Sequence, residues 1–202
     1  MTITYVVENG LYINMTNRCT NRCDFCIRNN GDGAYGSDSL WLEHEPTKEE
    51  VFDAICQAEP EQYGEIVFCG YGEPTCRLDD MLWVCGRIRE EYPALKIRLN
   101  TNGHASLICG EDVAARFAGC FDVVSISLNA PSAAEYDAIC HSRFGLSAFD
   151  GMFSFARAVK KHVPRVMFSV VRQFLTPAAL EQCRALCAEN GIPLKVREYI
   201  SK

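Results

Sequence analysis

The sequence predicts an α/β fold in which parallel strands form a partial (βα)6-type TIM barrel. Short apolar runs typical of buried strands alternate with helix-like segments along the chain, and six strand-like runs are present. Strands that alternate with helices pair in parallel through right-handed crossovers. The 202 residues are too few for a complete eight-unit barrel, which takes roughly 250 residues. We therefore expect a single domain over residues 1–202 with fewer than eight units.

The strand-like runs are separated by segments with helical periodicity and clear end signals. Strands are predicted at 10–17, 65–71, 96–101, 122–129, 165–171 and 194–199. Helices are predicted at 47–58, 78–92, 111–117, 132–140, 149–162 and 177–190. A capping box begins at Thr47, and Thr176 precedes a first-turn proline. Gly191 followed by Pro193 ends the last helix.

Composition indicates a cytoplasmic protein. Hydrophobic residues make up 48% and charged residues 23%, as in ordinary globular domains. The first residues lack the basic and apolar regions of a signal peptide, and no apolar run approaches the ~18 residues of a membrane span. In a reducing compartment, the 12 cysteines are expected to remain thiols or bind metal rather than form disulfides.

Charge is distributed unevenly along the chain. The net charge is −6, but residues 155–202 contain nine Lys and Arg against three Asp and Glu. This basic region is interpreted either as scattered solvated faces or as a basic rim for an anionic substrate. The composition does not indicate a nucleic-acid partner, and no membrane partner is expected.

Three closely spaced cysteines, Cys19, Cys23 and Cys26, carry the strongest functional signal. They could hold three irons of one [4Fe–4S] cluster, whereas a ferredoxin supplies four cysteines and leaves no iron open. A zinc site would need a fourth ligand, and His44 is poorly placed for it. A redox dithiol would not need Cys19. The remaining nine cysteines fall mostly in predicted helices and are expected to be structural.

Small polar residues and glycines follow the predicted strands. Because active sites of parallel α/β barrels form at the carboxyl ends of the strands, these residues predict one polar small-molecule site near the cysteines. The candidates are Gly70, Tyr71, Gly72 and Glu73 after the second strand, Asn100 and Asn102 at the third, Ser127 and Asn129 at the fourth, and Arg172 at the fifth.

These features resemble the radical S-adenosylmethionine (SAM) superfamily. The three-cysteine motif has an aromatic residue, Phe25, just before its last cysteine, and the second strand ends in the glycine-rich run 70–73. The resemblance extends over roughly residues 10–199 and implies the radical SAM core fold. Within the superfamily, segments 41–46 and 127–131 resemble the small TatD-associated radical SAM protein family.

The resemblance implies a role for each matching residue. The three cysteines would ligate the cluster, and its open iron would take the amino and carboxylate groups of SAM. Residues 70–73 would hold the methionine amino group through backbone carbonyls, with glycines avoiding a Cβ that would block this contact. Tyr71 departs from the glycine found in many relatives. The remaining implied SAM contacts are Phe25 beside the adenine, Ser127 and Asn129 at the ribose and carboxylate, and Asn100, Asn102 and Arg172.

The implied activity begins when a donor such as flavodoxin or ferredoxin reduces the cluster. Reductive cleavage of SAM then gives a 5′-deoxyadenosyl radical that abstracts hydrogen from an unidentified substrate, which could be a protein or other large partner. The finer resemblance implies a functional link to a TatD-type hydrolase. No acid or base is assigned; Glu198, His104 and His141 are candidates. A non-catalytic iron–sulfur sensor and a zinc-binding interaction module remain as alternatives.

The irregular segment 28–46 follows the cysteine motif directly. Loops of this length are typically functional or disordered. Its position next to the cysteines favours a lid over the open side of the barrel, whereas Trp41 could equally anchor a passive connector against the barrel wall.

Overall fold

A computed structural model describes residues 1–199, which form a seven-stranded sheet whose spatial order follows the chain. The strands are β1 (Thr4–Val7), β2 (Gly10–Ile13), β3 (Glu65–Phe68), β4 (Lys96–Thr101), β5 (Val123–Ser127), β6 (Arg165–Val171) and β7 (Leu194–Arg197). Strands β2 to β7 are all parallel, which confirms the predicted partial barrel. Within residues 1–199, β1 and β7 are the two edge strands and do not pair with each other, so the barrel is open.

Strand β1 was absent from the sequence prediction. It pairs antiparallel with β2, with Tyr5 opposite Tyr12, through a tight turn at Glu8 and Asn9. Glu8 has φ +53°, a left-handed conformation typical of such a turn. The prediction relied on strands that alternate with helices. It therefore missed a strand that is joined to its neighbour by a hairpin.

Within residues 1–199, six α-helices cover the outer face of the sheet. They are α1 (Lys48–Gln57), α2 (Leu78–Glu91), α3 (Ala105–Cys109), α4 (Ala133–Cys140), α5 (Ser147–Val159) and α6 (Pro177–Glu189). The Thr47 capping box and the Thr176 cap are both present. The helix predicted at 111–117 was wrong: α3 lies earlier and ends at Gly110 (φ +75°), and only a 3-10 turn, Ala114–Phe117, follows.

The core lies between the sheet and its helices. It includes Phe68, Phe117, Phe155 and Phe168, which are almost completely buried. Because side chains alternate across a strand, the opposite face of the sheet points into the barrel. No helix within residues 1–199 has both the length and the apolar composition needed to cross a bilayer.

Asn14, just after β2, connects three parts of the fold. Its fully buried amide donates to the carbonyls of Thr2 (3.0 Å) and Leu40 (2.7 Å), and its Oδ1 accepts from the N–H of Tyr71 (3.1 Å). Leu40 belongs to segment 28–46 and is itself buried beside Tyr71. One side chain therefore fixes the amino terminus, the irregular segment and the end of β3.

We expect Asn14→Ala to lower the free energy of unfolding by about 2–4 kcal/mol, because it leaves two carbonyls and one N–H without partners. The control is Asn190→Ala, which removes half-exposed hydrogen bonds at the end of α6 and is expected to cost about 1 kcal/mol or less. Chemical denaturation of both variants measures the difference. Equal losses would contradict the connecting role of Asn14.

Candidate active site

The inner face of the sheet encloses a cavity of about 920 Å³ to which all seven strands contribute. Twelve of the thirteen cluster and SAM residues named from the sequence line it. They are Cys19, Cys23, Phe25, Cys26, Gly70, Tyr71, Gly72, Glu73, Asn100, Asn102, Ser127 and Asn129. The fold therefore brings residues that are more than 100 positions apart in the sequence to one polar cavity.

Arg172 lies outside this group. Val171 is buried at the end of β6, whereas Arg172 is exposed at the start of a 3-10 turn. Successive side chains of a strand point to opposite faces, so Arg172 turns away from the cavity that Val171 lines.

The cysteine loop follows β2 and is held by helix α4. The backbone N–H groups of Arg22 and Asp24 donate to the carbonyls of Cys140 (2.9 Å) and Ile139 (3.0 Å). The end of α4 is fixed in turn by His141, whose ring lies 2.8 Å from Asp24 Oδ1. Helix α4 therefore positions the loop from the side away from β2.

Two of the thiols are strongly affected by their surroundings. Cys19 is open to the cavity, yet the protein around that cavity limits its hydration, and this desolvation raises the pKa of Cys19 to about 12. A side-chain hydrogen bond with the Cys140 thiol, followed by burial, raises the pKa of Cys23. Iron binding would therefore have to displace protons from these thiols, since the thiolate is the ligand.

The cysteines fit a cluster better than a single ion. Within residues 1–199, no three His, Cys, Asp or Glu side chains converge as ligands of one metal ion. In a [4Fe–4S] cluster each cysteine binds a different iron, so the three thiols need not meet at one point. Cys19, Cys23 and Cys26 all line the cavity and belong to one loop.

Glu73 joins the ends of β3 and β4. Its Oε1 accepts from the Thr75 hydroxyl (2.7 Å) and the Thr101 hydroxyl (2.7 Å), and its Oε2 accepts from the N–H of Asn102 (2.7 Å). Burial raises the pKa of Glu73, while these hydrogen bonds favour its charged form. The carboxylate is thus a structural brace that also lines the cavity.

The two glycines of this strand end have a packing role that the sequence analysis did not anticipate. A Cβ on Gly72 would lie 2.3 Å from the Thr16 carbonyl oxygen and 2.6 Å from that of Arg18. A Cβ on Gly70 would lie 2.7 Å from the Asn14 Cα. The close approach that requires glycine is therefore to the chain that leads from β2 into the cysteine loop.

The contacts of Tyr71 account for a tyrosine at a position where many relatives have glycine. The ring is buried, its hydroxyl donates to the Gly31 carbonyl (2.6 Å), and Trp41 packs against it edge-on with centroids 5.1 Å apart. Tyr71 therefore attaches segment 28–46 to the end of β3, and Ala34, Tyr35 and Leu40 of that segment line the cavity.

A buried network of polar side chains holds the cysteine loop. The amide of Asn102 donates to the Thr20 hydroxyl (2.8 Å), which also lies 3.3 Å from His104 Nδ1. Asn21 donates to the Tyr136 hydroxyl (2.9 Å). Burial lowers the pKa of His104 to about 4, so this imidazole is neutral at pH 7.

The other candidates have distinct placements. Phe25 packs on Phe174 with ring centroids 4.9 Å apart, and Asn100 accepts from Arg98 (3.1 Å). Of the three unassigned acid–base candidates, only Glu198 lines the cavity; His104 is beneath the loop and His141 is exposed at the end of α4.

Several cavity polar atoms have no partner. Within residues 1–199, four of the five buried side-chain N or O atoms without a hydrogen bond belong to cavity-lining residues. They are Asn21 Oδ1, Asn129 Oδ1, Ser169 Oγ and Arg197 Nε. Buried polar groups are normally satisfied, so this concentration indicates a cavity built for a polar ligand. Asn129 also adopts the left-handed conformation (φ +57°), which is uncommon outside glycine.

Sequence analysis missed Asn14, Thr20, Ser169 and Arg197 as site residues. Ser169 and Arg197 had a usable signal, because period-two alternation places them in phase with the inward Met167 and Lys195. Asn14 and Thr20 had none, since their partners are remote in the sequence.

Comparison with known proteins agrees with this geometry. The Radical SAM superfamily profile matches residues 13–189. No curated protein matches the sequence significantly. A radical SAM methyltransferase from Sphaerobacter thermophilus is similar in fold, with a TM-score of 0.65, 17% identity, and coverage of 96% of this chain and 68% of that one.

Two further solved structures have the same core. Streptococcus suis SuiB, bound to precursor peptide SuiA, has a TM-score of 0.64 and 17% identity over 95% of this chain and 39% of SuiB. The structure of anSMEcpe with bound AdoMet has a TM-score of 0.61 and 18% identity over 94% of this chain and 51% of that one. This chain thus spans about two fifths to two thirds of these structures. Because the superfamily profile covers most of its length, the chain belongs to the radical SAM superfamily of enzymes.

Proposed function

We propose that this chain holds a [4Fe–4S] cluster on Cys19, Cys23 and Cys26 and cleaves SAM reductively to initiate radical chemistry on a substrate. The observation that carries the proposal is the meeting of these cysteines with the Gly70–Glu73 strand end on one cavity of about 920 Å³. When bound, the reduced cluster would supply the electron that cleaves SAM, and SAM would supply the radical that takes hydrogen from a substrate carbon.

The residues of the chain orient these groups. Glu73 fixes the ends of β3 and β4 relative to each other, and Asn102 supports the cysteine loop through Thr20. Asn129 is proposed to contact the ribose or carboxylate of SAM, and its buried, unpartnered Oδ1 supports this role. Phe25 offers an aromatic surface beside the cysteines for the adenine.

Segment 28–46 is proposed to close the open side of the barrel. It is attached to β3 by Tyr71 and to the chain after β7 by Asn30, whose side chain lies 2.7 Å from the Tyr199 hydroxyl. Such a wall would exclude water and stray hydrogen donors from the cavity.

Finer assignments are proposals as well. Segments 41–46 and 127–131 support membership of the TatD-associated group, and with it a functional link to a TatD-type hydrolase. The electron donor is proposed to be a flavodoxin or ferredoxin. A peptide or other large substrate suits the open barrel, and SuiB, which is similar in fold, is bound to a precursor peptide.

The decisive experiment is anaerobic reconstitution with iron and sulfide, followed by reduction in the presence of SAM. We expect cluster absorption and formation of 5′-deoxyadenosine and methionine. A cluster that forms but neither binds nor cleaves SAM would support a non-catalytic iron–sulfur sensor, and zinc without iron would support an interaction module.

We expect Cys19→Ala, Cys23→Ala and Cys26→Ala each to abolish the [4Fe–4S] cluster, because each thiolate binds a separate iron. Cys56→Ala, half-buried on α1 outside the cavity, is the matched control and should retain wild-type iron and sulfide. Iron and acid-labile sulfide per chain are the measurement. Loss of the cluster from the Cys56 variant would count against the assignment.

Gly72→Ala is expected to lower both cluster content and stability, since its Cβ would collide with the backbone before the cysteine loop. Gly86→Ala on α2, where a Cβ meets nothing within 4 Å, should stabilise the protein by roughly 0.5–1 kcal/mol. Iron content and chemical denaturation report the two effects. A Gly72 variant with full cluster content and unchanged stability would refute the packing role.

Asn129→Gly is expected to weaken SAM binding about tenfold while cluster content stays unchanged, because it removes one polar contact but tolerates the left-handed backbone. Glu59→Gly, also at a left-handed position (φ +50°) but outside the cavity, is the control. Equilibrium SAM binding to the reconstituted proteins decides the matter. Equal affinities in the two variants would exclude Asn129 from SAM binding.

A further inference from the structure

The wall of the cavity formed by β6 and β7 carries cationic side chains that the proposed cluster and SAM contacts do not use. Lys195 and Arg197 lie two residues apart on β7 and both line the cavity. Residues two apart on a strand point to the same face. Within residues 1–199, neither side chain forms an ion pair or a hydrogen bond.

Arg98, on the opposite wall of the cavity, is an arginine whose side-chain nitrogens all donate hydrogen bonds. Its Nε and Nη2 donate to the two carboxylate oxygens of Glu65 (3.1 and 2.6 Å), and its Nη1 donates to Asn100 Oδ1 (3.1 Å). Nη2 also donates to the Tyr12 hydroxyl (3.2 Å). The charge of Arg98 is therefore neutralised within the protein, and its donors are occupied.

Arg197 differs from Arg98 at its Nε. Although the residue is half-buried, its Nε is out of contact with solvent and has no acceptor. Leaving a buried donor unpaired is destabilising. In the strand register Val171 is opposite Arg197 and Ser169 is opposite Lys195, so the Ser169 side chain lies on the same wall. The Ser169 Oγ is likewise buried without a partner.

The acidic residues of the cavity do not balance these two cations. Glu65 is paired with Arg98, and Glu73 is bound by Thr75, Thr101 and Asn102. Glu198 accepts from the side chain of Gln173. Glu8, in the β1–β2 turn, is exposed and forms no ion pair with the β7 cations. The β7 wall consequently combines positive charge with unsatisfied hydrogen-bonding atoms.

Arginine and serine together are suited to a planar or tetrahedral oxyanion. A guanidinium presents paired N–H donors that match carboxylate and phosphate geometry, and a hydroxyl adds a third donor. The basic composition of residues 155–202 thus contributes at least part of its charge to the cavity rather than only to solvated faces.

We infer that Arg197, Lys195 and Ser169 form a subsite for a carboxylate or phosphate group of the substrate, separate from the site that holds SAM. This inference rests on the proposed function, because it assigns the substrate end of the same cavity. The substrate is accordingly an anion that enters with its charged group toward β7 and its reacting carbon toward the cysteine loop.

The test uses the reconstituted holoprotein saturated with SAM. Inorganic phosphate and propionate, each at millimolar concentration, are the probes, and potassium chloride at matched ionic strength is the blank. Binding is measured by titration calorimetry for the wild type, Arg197→Gln, Lys195→Gln and Arg184→Gln. Arg184 is exposed on α6 outside the cavity, so its variant makes the same change of charge elsewhere. Cluster content and SAM affinity are measured on the same samples.

We expect at least one probe to bind the wild type. Arg197→Gln should weaken that binding about tenfold or more, Lys195→Gln less, and Arg184→Gln less than twofold. SAM affinity should stay within twofold in all variants. The inference is overturned if neither probe binds the wild type, if Arg197→Gln and Arg184→Gln behave alike, or if Arg197→Gln instead loses SAM, since the cofactor carboxylate would then be its partner. Failure of the proposed function would appear separately, as absent cluster or absent SAM binding.

Discussion

The site depends on the close contact between the chain that leaves β2 and the chain that leaves β3. Gly70 and Gly72 have no Cβ, so the backbone at Asn14 and Thr16 packs directly against them. The Glu73 N–H then donates to the Arg18 carbonyl (2.8 Å), next to the first cysteine. Since packed interiors deform little, this contact fixes where the cysteine loop begins, and every later element of the site is positioned relative to it.

The far side of the loop is held by polar rather than apolar contacts. Thr20 and Asn21 are buried, and their partners are Asn102, His104 and Tyr136. Buried hydrogen bonds are strongly directional, whereas apolar packing tolerates small shifts. His104 contributes as a neutral ring, because burial lowers its pKa to about 4. The loop is thereby held on this side by an uncharged ring, whereas the Arg28 guanidinium lies at the cysteines themselves, with its Nε 3.4 Å from Cys26 Sγ.

Local patterns led to those predictions whose signal is contained in a few adjacent residues. The cysteine spacing and the run 70–73 are of this kind, and so is the Thr47 capping box, which the structure confirms. Long-range contacts left no such signal: His104 meets Thr20 across 84 positions, and Asn14 meets Leu40 across 26. The helix at 105–109 was not predicted because it is only five residues long, too short to show a helical period. The hairpin partner β1 was missed because nothing helical separates it from β2.

The unsatisfied atoms of the cavity separate into two groups, and this division has a physical meaning. Asn21 and Asn129 lie in the loops at the strand ends, near the cysteines, where the polar end of SAM is proposed to bind. Ser169 and Arg197 lie on β6 and β7, at the open edge of the barrel. A single small ligand beside the cysteines would leave the second group unpaired, and a buried donor or hydroxyl without a partner is destabilising. Two ligands that meet in one cavity satisfy both groups, as a reaction between a cofactor and a separate substrate requires.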